Sequence, residues 1–202
     1  MNNANLLPLA LKALGIWLVI SLLGFFWGQK LVETLIPFYE VVAESASEGY
    51  QANIYIEQGH EAKIVLAATA LQAQPISPKR SVPAGTTLES RITVLHTLVP
   101  LVILLTVMFS WPLKTSRQWL LLALMIVPAI LLVSAVTAPL QLLGWHEIAF
   151  QEASARDGFG RPVPWVVDWM TLTEGGGRWL IPVLTGVACA AIAQRLGDKT
   201  AR

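Results

Sequence analysis

Four long apolar stretches divide the chain, and the polar positions between them are sorted by charge. A bilayer core of roughly 30 Å needs about 20 helical residues at about 1.5 Å each. The first stretch runs from Ala13 to Gln29 without a charge and continues as helix through Lys30 and Glu33 toward Pro37. The second lies between Arg91 and Lys114, with His96 as its only ionisable group. The third, Gln118 to Trp145, holds no ionisable residue, and Pro128 and Pro139 are expected to kink or end it. The fourth, between Arg178 and Arg195, is the shortest and needs Arg195 to snorkel or the bilayer to thin. This pattern predicts an all-α integral membrane protein with four transmembrane helices.

Charge orients the spans. One set of intervening segments carries Lys12, then Lys114 and Arg117, then Arg195, Lys199 and Arg202, with Asp198 its single acidic residue. Every other Asp and Glu falls in the opposite set, mixed with basic residues. Lys and Arg in short loops mark the cytoplasmic side, so both termini are expected in the cytoplasm. The chain then divides into an N-terminal anchor (1–37), an extracytoplasmic segment (38–91), and a three-span region (92–202) with an extracytoplasmic loop at 144–178. The first span reads as an uncleaved anchor. Its nearest small-residue stretch, Ala43 to Ser47, lies far beyond the apolar core, whereas signal peptidase sites follow that core closely. Trp27, Trp111, Trp119, Trp145 and Trp179 sit near the span ends, where an interfacial belt would place them.

Composition agrees. The 202 residues are 54% hydrophobic and only 13% charged, against about 25% charged in soluble domains. A net charge of +1 gives no basic surface for nucleic acid, and a single cysteine, Cys189, excludes an intramolecular disulfide.

The first external segment is β-prone. Tyr50 to Ile56 alternates, Gln58-Gly59-His60 reads as a turn, Lys63 to Ala67 as a second strand, and Val82 to Gly85 as a turn or strand end. Thr86 with Glu89 forms a capping box expected to start the second helix. About fifty residues hardly bury an independent core, so a small β-element resting on the helices, or completed by a partner, is expected. In the second segment, Asp157 to Pro164 and Gly175-Gly176-Gly177 predict irregular backbone. Between them Val166, Val167, Trp169 and Met170 suggest a short interfacial helix.

No constellation states a chemistry. Cys189 lies about eleven residues inward from Arg178, roughly 10 Å in depth from His96, outside the reach of a base. His60-Glu61 and His146-Glu147 could converge on a metal, but neither continues into a ligand spacing, and solvated loop histidines are the plainer reading. His96 alone is ionisable within a span, which argues against an ion or proton relay. The triple glycine before Arg178 reads either as an anion cradle or as a flexible lead-in, with Arg178 at lipid headgroups. Gly186, Ala190 and Ala193 form a small-residue seam, suited to packing within the bundle or to docking another membrane protein.

The run Trp169-x-x-x-Thr173-x-Gly175-Gly176-Gly177-Arg178-Trp179, leading into a small-residue apolar helix with a basic tail, resembles the small inner-membrane proteins associated with exosortases. Exosortases are bacterial cysteine transpeptidases that process proteins bearing C-terminal sorting signals. Chain length and span order carry the same resemblance. It implies an accessory protein of a Gram-negative inner membrane with an exosortase-like partner and no known active site, and it carries over Gly176, Gly177 and Arg178 as partner contacts. The chain does not read as an exosortase, having half the expected spans. It does not read as a substrate either, because the Pro-Glu-Pro type triplet is absent. The expected function is that of a non-enzymatic accessory or scaffold protein without cofactor or metal. Its partners would be the lipid bilayer and another integral membrane protein. Two alternatives stay open: a lipid or small-molecule binder using Trp165, Trp169 and Arg178, and a membrane thiol enzyme using Cys189.

Overall fold

The computed structural model describes residues 6–47, 49–78 and 80–199; Arg202 lies outside the described residues. Helix α1 (Leu6–Ala46) is 41 residues long, about 60 Å at the α-helical rise. Its first half exposes Leu14, Leu18, Leu22, Phe25 and Phe26, whereas its second half buries Val32, Leu35, Tyr39 and Ala43. That second set recurs every three or four residues, which places it on one face. Pro37 lies inside the helix, which runs on to Ala46 past the expected end. A proline removes one main-chain hydrogen bond, and burial of the flanking face outweighs that loss.

The chain then turns back along α1 as a three-stranded antiparallel sheet. β1 (Tyr50–Glu57) pairs with β2 (Lys63–Ala70), and a small hairpin of β3 (Gln74–Ser77) and β4 (Arg80–Val82) follows. β5 (Thr87–Thr93) closes the sheet in the order β1-β2-β5, with Ile54 opposite Leu66 and Leu66 opposite Ser90. Glu40 of α1 accepts the Ile54 amide at 2.9 Å, fixing β1 to the helix. The capping box at Thr86 and Glu89 starts no helix. Ser90 and Ile92 are buried while Thr87, Glu89 and Arg91 are exposed, a period of two, and pairing with β2 satisfies the backbone. The helix start falls on Thr93, whose hydroxyl accepts the His96 amide at 3.4 Å.

Helix α2 (Val94–Ser110) follows β5 directly, and α3 (Ser116–Val136) returns. The third apolar stretch is two helices, not one span. It breaks at Thr137 (φ −109°, ψ −84°), with Pro139 in the first turn of α4 (Ala138–Arg156). In α4, Leu140, Leu142, Leu143, His146 and Phe150 are buried, and Ser90 of the sheet donates to the Leu142 carbonyl at 2.9 Å. Residues 144–178 are therefore mostly helix, with irregular backbone at 157–164 and a kink at Gly176, as the glycines there led one to expect. That stretch is held by Ser77 and Arg80 on Asp157, at 3.0 and 3.3 Å. Helix α5 (Trp165–Leu172) runs back down α4, where Gly144 leaves room for Met170. A π-turn (Thr173–Gly177) leads into α6 (Arg178–Lys199).

The molecule is a helical bundle carrying a sheet-and-helix domain on one end. Three helical stretches are long and apolar enough to cross a membrane: Ala10–Ala46, Ser116–Arg156 and Trp165–Asp198. The apolar helix Val94–Ser110 is shorter. Gly186 of α6 lies against Val107 and the Leu104 carbonyl of α2, and Ala190 and Ala193 are fully buried. The small-residue seam is thus covered from within the chain.

Candidate functional site

The side chains singled out in the last third of the sequence meet where the bundle joins its domain. Thr93 caps α2 and so places His96 in its first turn. The π-turn sets Glu174 and Arg178 four residues apart, facing the same neighbours. Two glycines make this turn: Gly176 adopts φ 129°, and a side chain at Gly177 would meet the Leu172 carbonyl at 2.9 Å. Gly175 faces open space.

Arg178 hydrogen-bonds His96 Nε2 and lies 3.5 Å from Glu174. An arginine only donates, so Nε2 is the acceptor and the imidazole proton sits on Nδ1. Glu174 accepts from Gln141 of α4 and lies 3.7 Å from His96. The Nε of Arg178 is buried without a partner, and the guanidinium stands over the Trp179 ring at 5.7 Å. Arg178 is therefore turned inward, tying three helices together rather than reaching for headgroups. Trp169 is also turned inward, its indole donating to the Val136 carbonyl at the end of α3, at 2.6 Å. Trp165 remains exposed at the opposite end of α5.

Beside this cluster an apolar groove of about 560 Å³ runs between α1 and α2. Trp17, Gly24 and Phe25 line one wall, Leu98 and Val102 the other, with Trp179 adjoining and Gln29, Glu61 and Thr93 as polar groups. A chamber of about 150 Å³ walled by His96 and Arg178 shares Thr93, Leu95, Val99 and Trp179 with it. The groove, not the chamber, falls in the volume range of ligand pockets, about 300–1,000 Å³.

The other candidates separate. Cys189 lies eleven residues beyond Arg178 on α6, about 16 Å along the axis. His96, held by Arg178, is therefore out of its reach. His60 lies in the turn after β1, whereas His146 stacks edge-on against Tyr50 at the strand's start, 5.0 Å between centroids. β1 alone separates those ends by about 23 Å, so the two His-Glu pairs do not converge. Among the described residues no group of three metal-ligating side chains forms.

His146 is not a solvated loop histidine. It is 3% exposed on α4, and its burial, reinforced by Arg161, pulls its pKa down to about 4. Burial also raises the Glu147 carboxyl, which Arg161 holds at 3.5 Å. Burial and then the Glu147 charge push the Tyr50 phenol up to about 12, with Arg161 close enough to oppose the rise. No sequence signal distinguishes this histidine from His60, because its burial comes from β1, 96 positions away.

The architecture is that of a largely helical protein with three stretches long and apolar enough to cross a membrane and a sheet-bearing domain. No family model matches the chain, and neither a curated protein nor a solved structure matches it.

Proposed function

We propose that the chain is a non-enzymatic accessory or scaffold protein of a bacterial inner membrane. It crosses the membrane four times through α1, α2, α3 and α6, with both termini cytoplasmic and the sheet domain outside. In this reading it presents its outer domain to a membrane-embedded partner, an exosortase-like transpeptidase being the one its sequence resembles. One observation carries the scaffold reading. The sheet domain joins the bundle through continuous or abutting secondary structure, α1 running unbroken and β5 passing into α2 at Thr93, with the His96–Glu174–Arg178 cluster at the seam. A partner held by the domain would therefore be held in fixed register with the bundle.

Affinity purification from native membranes in mild detergent, with mass spectrometry of proteins and lipids together, tests this reading. Stoichiometric recovery of a membrane transpeptidase, lost in Arg178→Ala, is the expected result. Recovery of the protein alone would overturn it. A reporter fused at Leu113 that is active in the periplasm would overturn the topology.

The apolar groove favours a second reading, a lipid-binding membrane protein. A defined lipid retained at one copy per chain, and lost when Gly24→Leu fills the groove, would select it.

A further inference from the structure

The groove between α1 and α2 reaches the sheet and meets a second space there. The Val94 amide donates to the Ala62 carbonyl at 3.0 Å, which pins the turn between β1 and β2 onto the start of α2. Glu61, in that turn, lines both the apolar groove and an adjoining polar pocket of about 290 Å³. Glu57, Gly59, His60 and Lys63 complete the pocket. Lys63 pairs across the sheet with Thr93, which also lines the groove, so the two side chains share a face. An exposed carboxylate and an exposed ammonium thus stand where the apolar space meets the polar one.

Length and opening select the occupant of the groove. Trp17 and Gln29 stand 12 positions apart along α1, about 18 Å. That is close to half of a hydrocarbon core of about 30 Å, the depth of one leaflet and so of one acyl chain. A transmembrane helix of a partner would need the whole core. Phe25, Leu95 and Trp179 of the walls are exposed, so in the proposed topology the groove opens sideways into the outer leaflet.

Charge selects the head. Arg91 holds Glu57 at 3.2 Å, whereas Glu61 and Lys63 form no ion pair among the described residues. An anion and a cation left free beside an apolar groove are complementary to an amphiphile that carries both charges. Its phosphate would face Lys63, and its ammonium would donate to the Glu61 carboxylate. A head with a phosphate alone sets an anion beside Glu61, and a quaternary ammonium has no N–H to donate. The chamber at Arg178 is already committed, its guanidinium bonding His96 and lying 3.5 Å from Glu174. We propose, resting on the lipid-binding reading, that groove and pocket together hold one phospholipid whose head carries a phosphate and a primary ammonium. One of its acyl chains lies between α1 and α2.

The test exposes the full chain, in mild detergent, to equal amounts of dioleoyl phospholipids with ethanolamine, choline and glycerol heads, and counts bound lipid by native mass spectrometry. The ethanolamine lipid is expected at one copy per chain, about fivefold over the glycerol lipid, the upper range for an exposed ion pair. Its lead over the choline lipid is smaller, because that head keeps the cation and lacks only the donor. Gly24→Leu fills the groove and removes all three. Glu61→Gln, at an exposed site, brings the ethanolamine and glycerol lipids level. Lys63→Gln weakens all three alike, since each carries the phosphate. Equal retention of the glycerol lipid, or a preference unchanged in Glu61→Gln, would overturn the head assignment. A lipid still lost in Gly24→Leu would then leave the lipid-binding reading standing, whereas no lipid retained by the unaltered chain would overturn both.

Discussion

The two ends of the bundle both carry buried polar side chains, and they use them differently. At the end away from the sheet Gln118 is 2% exposed and engaged on both sides. Its carbonyl accepts the Lys114 and Thr115 amides at 2.7 and 3.1 Å, and its amide donates to Asp198 at 2.9 Å. Thr115 completes a capping box for α3, and Trp111 donates to Gln194 at 3.1 Å. At the sheet end Gln141, Glu174, His96 and Arg178 bond chiefly to one another, beside a cavity, and a guanidinium nitrogen is left over. A cluster that closes on the main chain stabilises helix ends. A cluster that closes on itself and keeps a donor free has capacity for a further contact.

If that contrast holds, the largest stability loss comes from the end away from the sheet. Gln118→Leu removes the acceptor of two amides and the contact with exposed Asp198 and is expected to cost about 2 kcal/mol, read as a fall in melting temperature in detergent, with partner or lipid retention unchanged below the melt. The buried histidine of α4 gives the next effect, through pH. The neutral form of His146 is favoured when folded, so its contribution is complete above the unfolded pKa near 6.5 and is lost as pH falls toward about 4. Stability should drop by about 2 kcal/mol between about pH 7 and 5 relative to His146→Gln, measured by the same melts. Glu147, shifted upward, acts in the opposite sense, and the comparison with His146→Gln isolates the histidine.

Smaller effects are expected at the seam with the sheet. Gly176→Ala imposes φ 129° on a side chain and should cost about 1–2 kcal/mol. Glu174→Ala and Arg178→Ala, combined in a double-mutant cycle of melts, should couple by about 1 kcal/mol. A seam cluster whose loss rivals that of Gln118 would make both ends structural and erase the contrast.

What the sequence made legible follows the range of the forces involved. The apolar stretches and the alternation of β1 are local patterns that the structure keeps, whereas β2 is buried along most of its length. Thr86 with Glu89 is also local, but β2 offers that segment a hydrogen-bonded partner, and the distant pairing decides. The break at Thr137 is foreshadowed by Pro139. That α4 then lies under a sheet depends on residues some fifty positions earlier, such as Ser90. The glycines before Arg178 announce a special turn. Its partner His96 lies 82 positions away, and nothing in either neighbourhood names the other.

The direct passage from β5 into α2 leaves no slack between domain and bundle. Thr93 ends the strand and caps the helix, and three residues later His96 meets Arg178. A pull on the sheet therefore acts on α2 as on a lever, and the imidazole–guanidinium contact is the first coupling to feel the load.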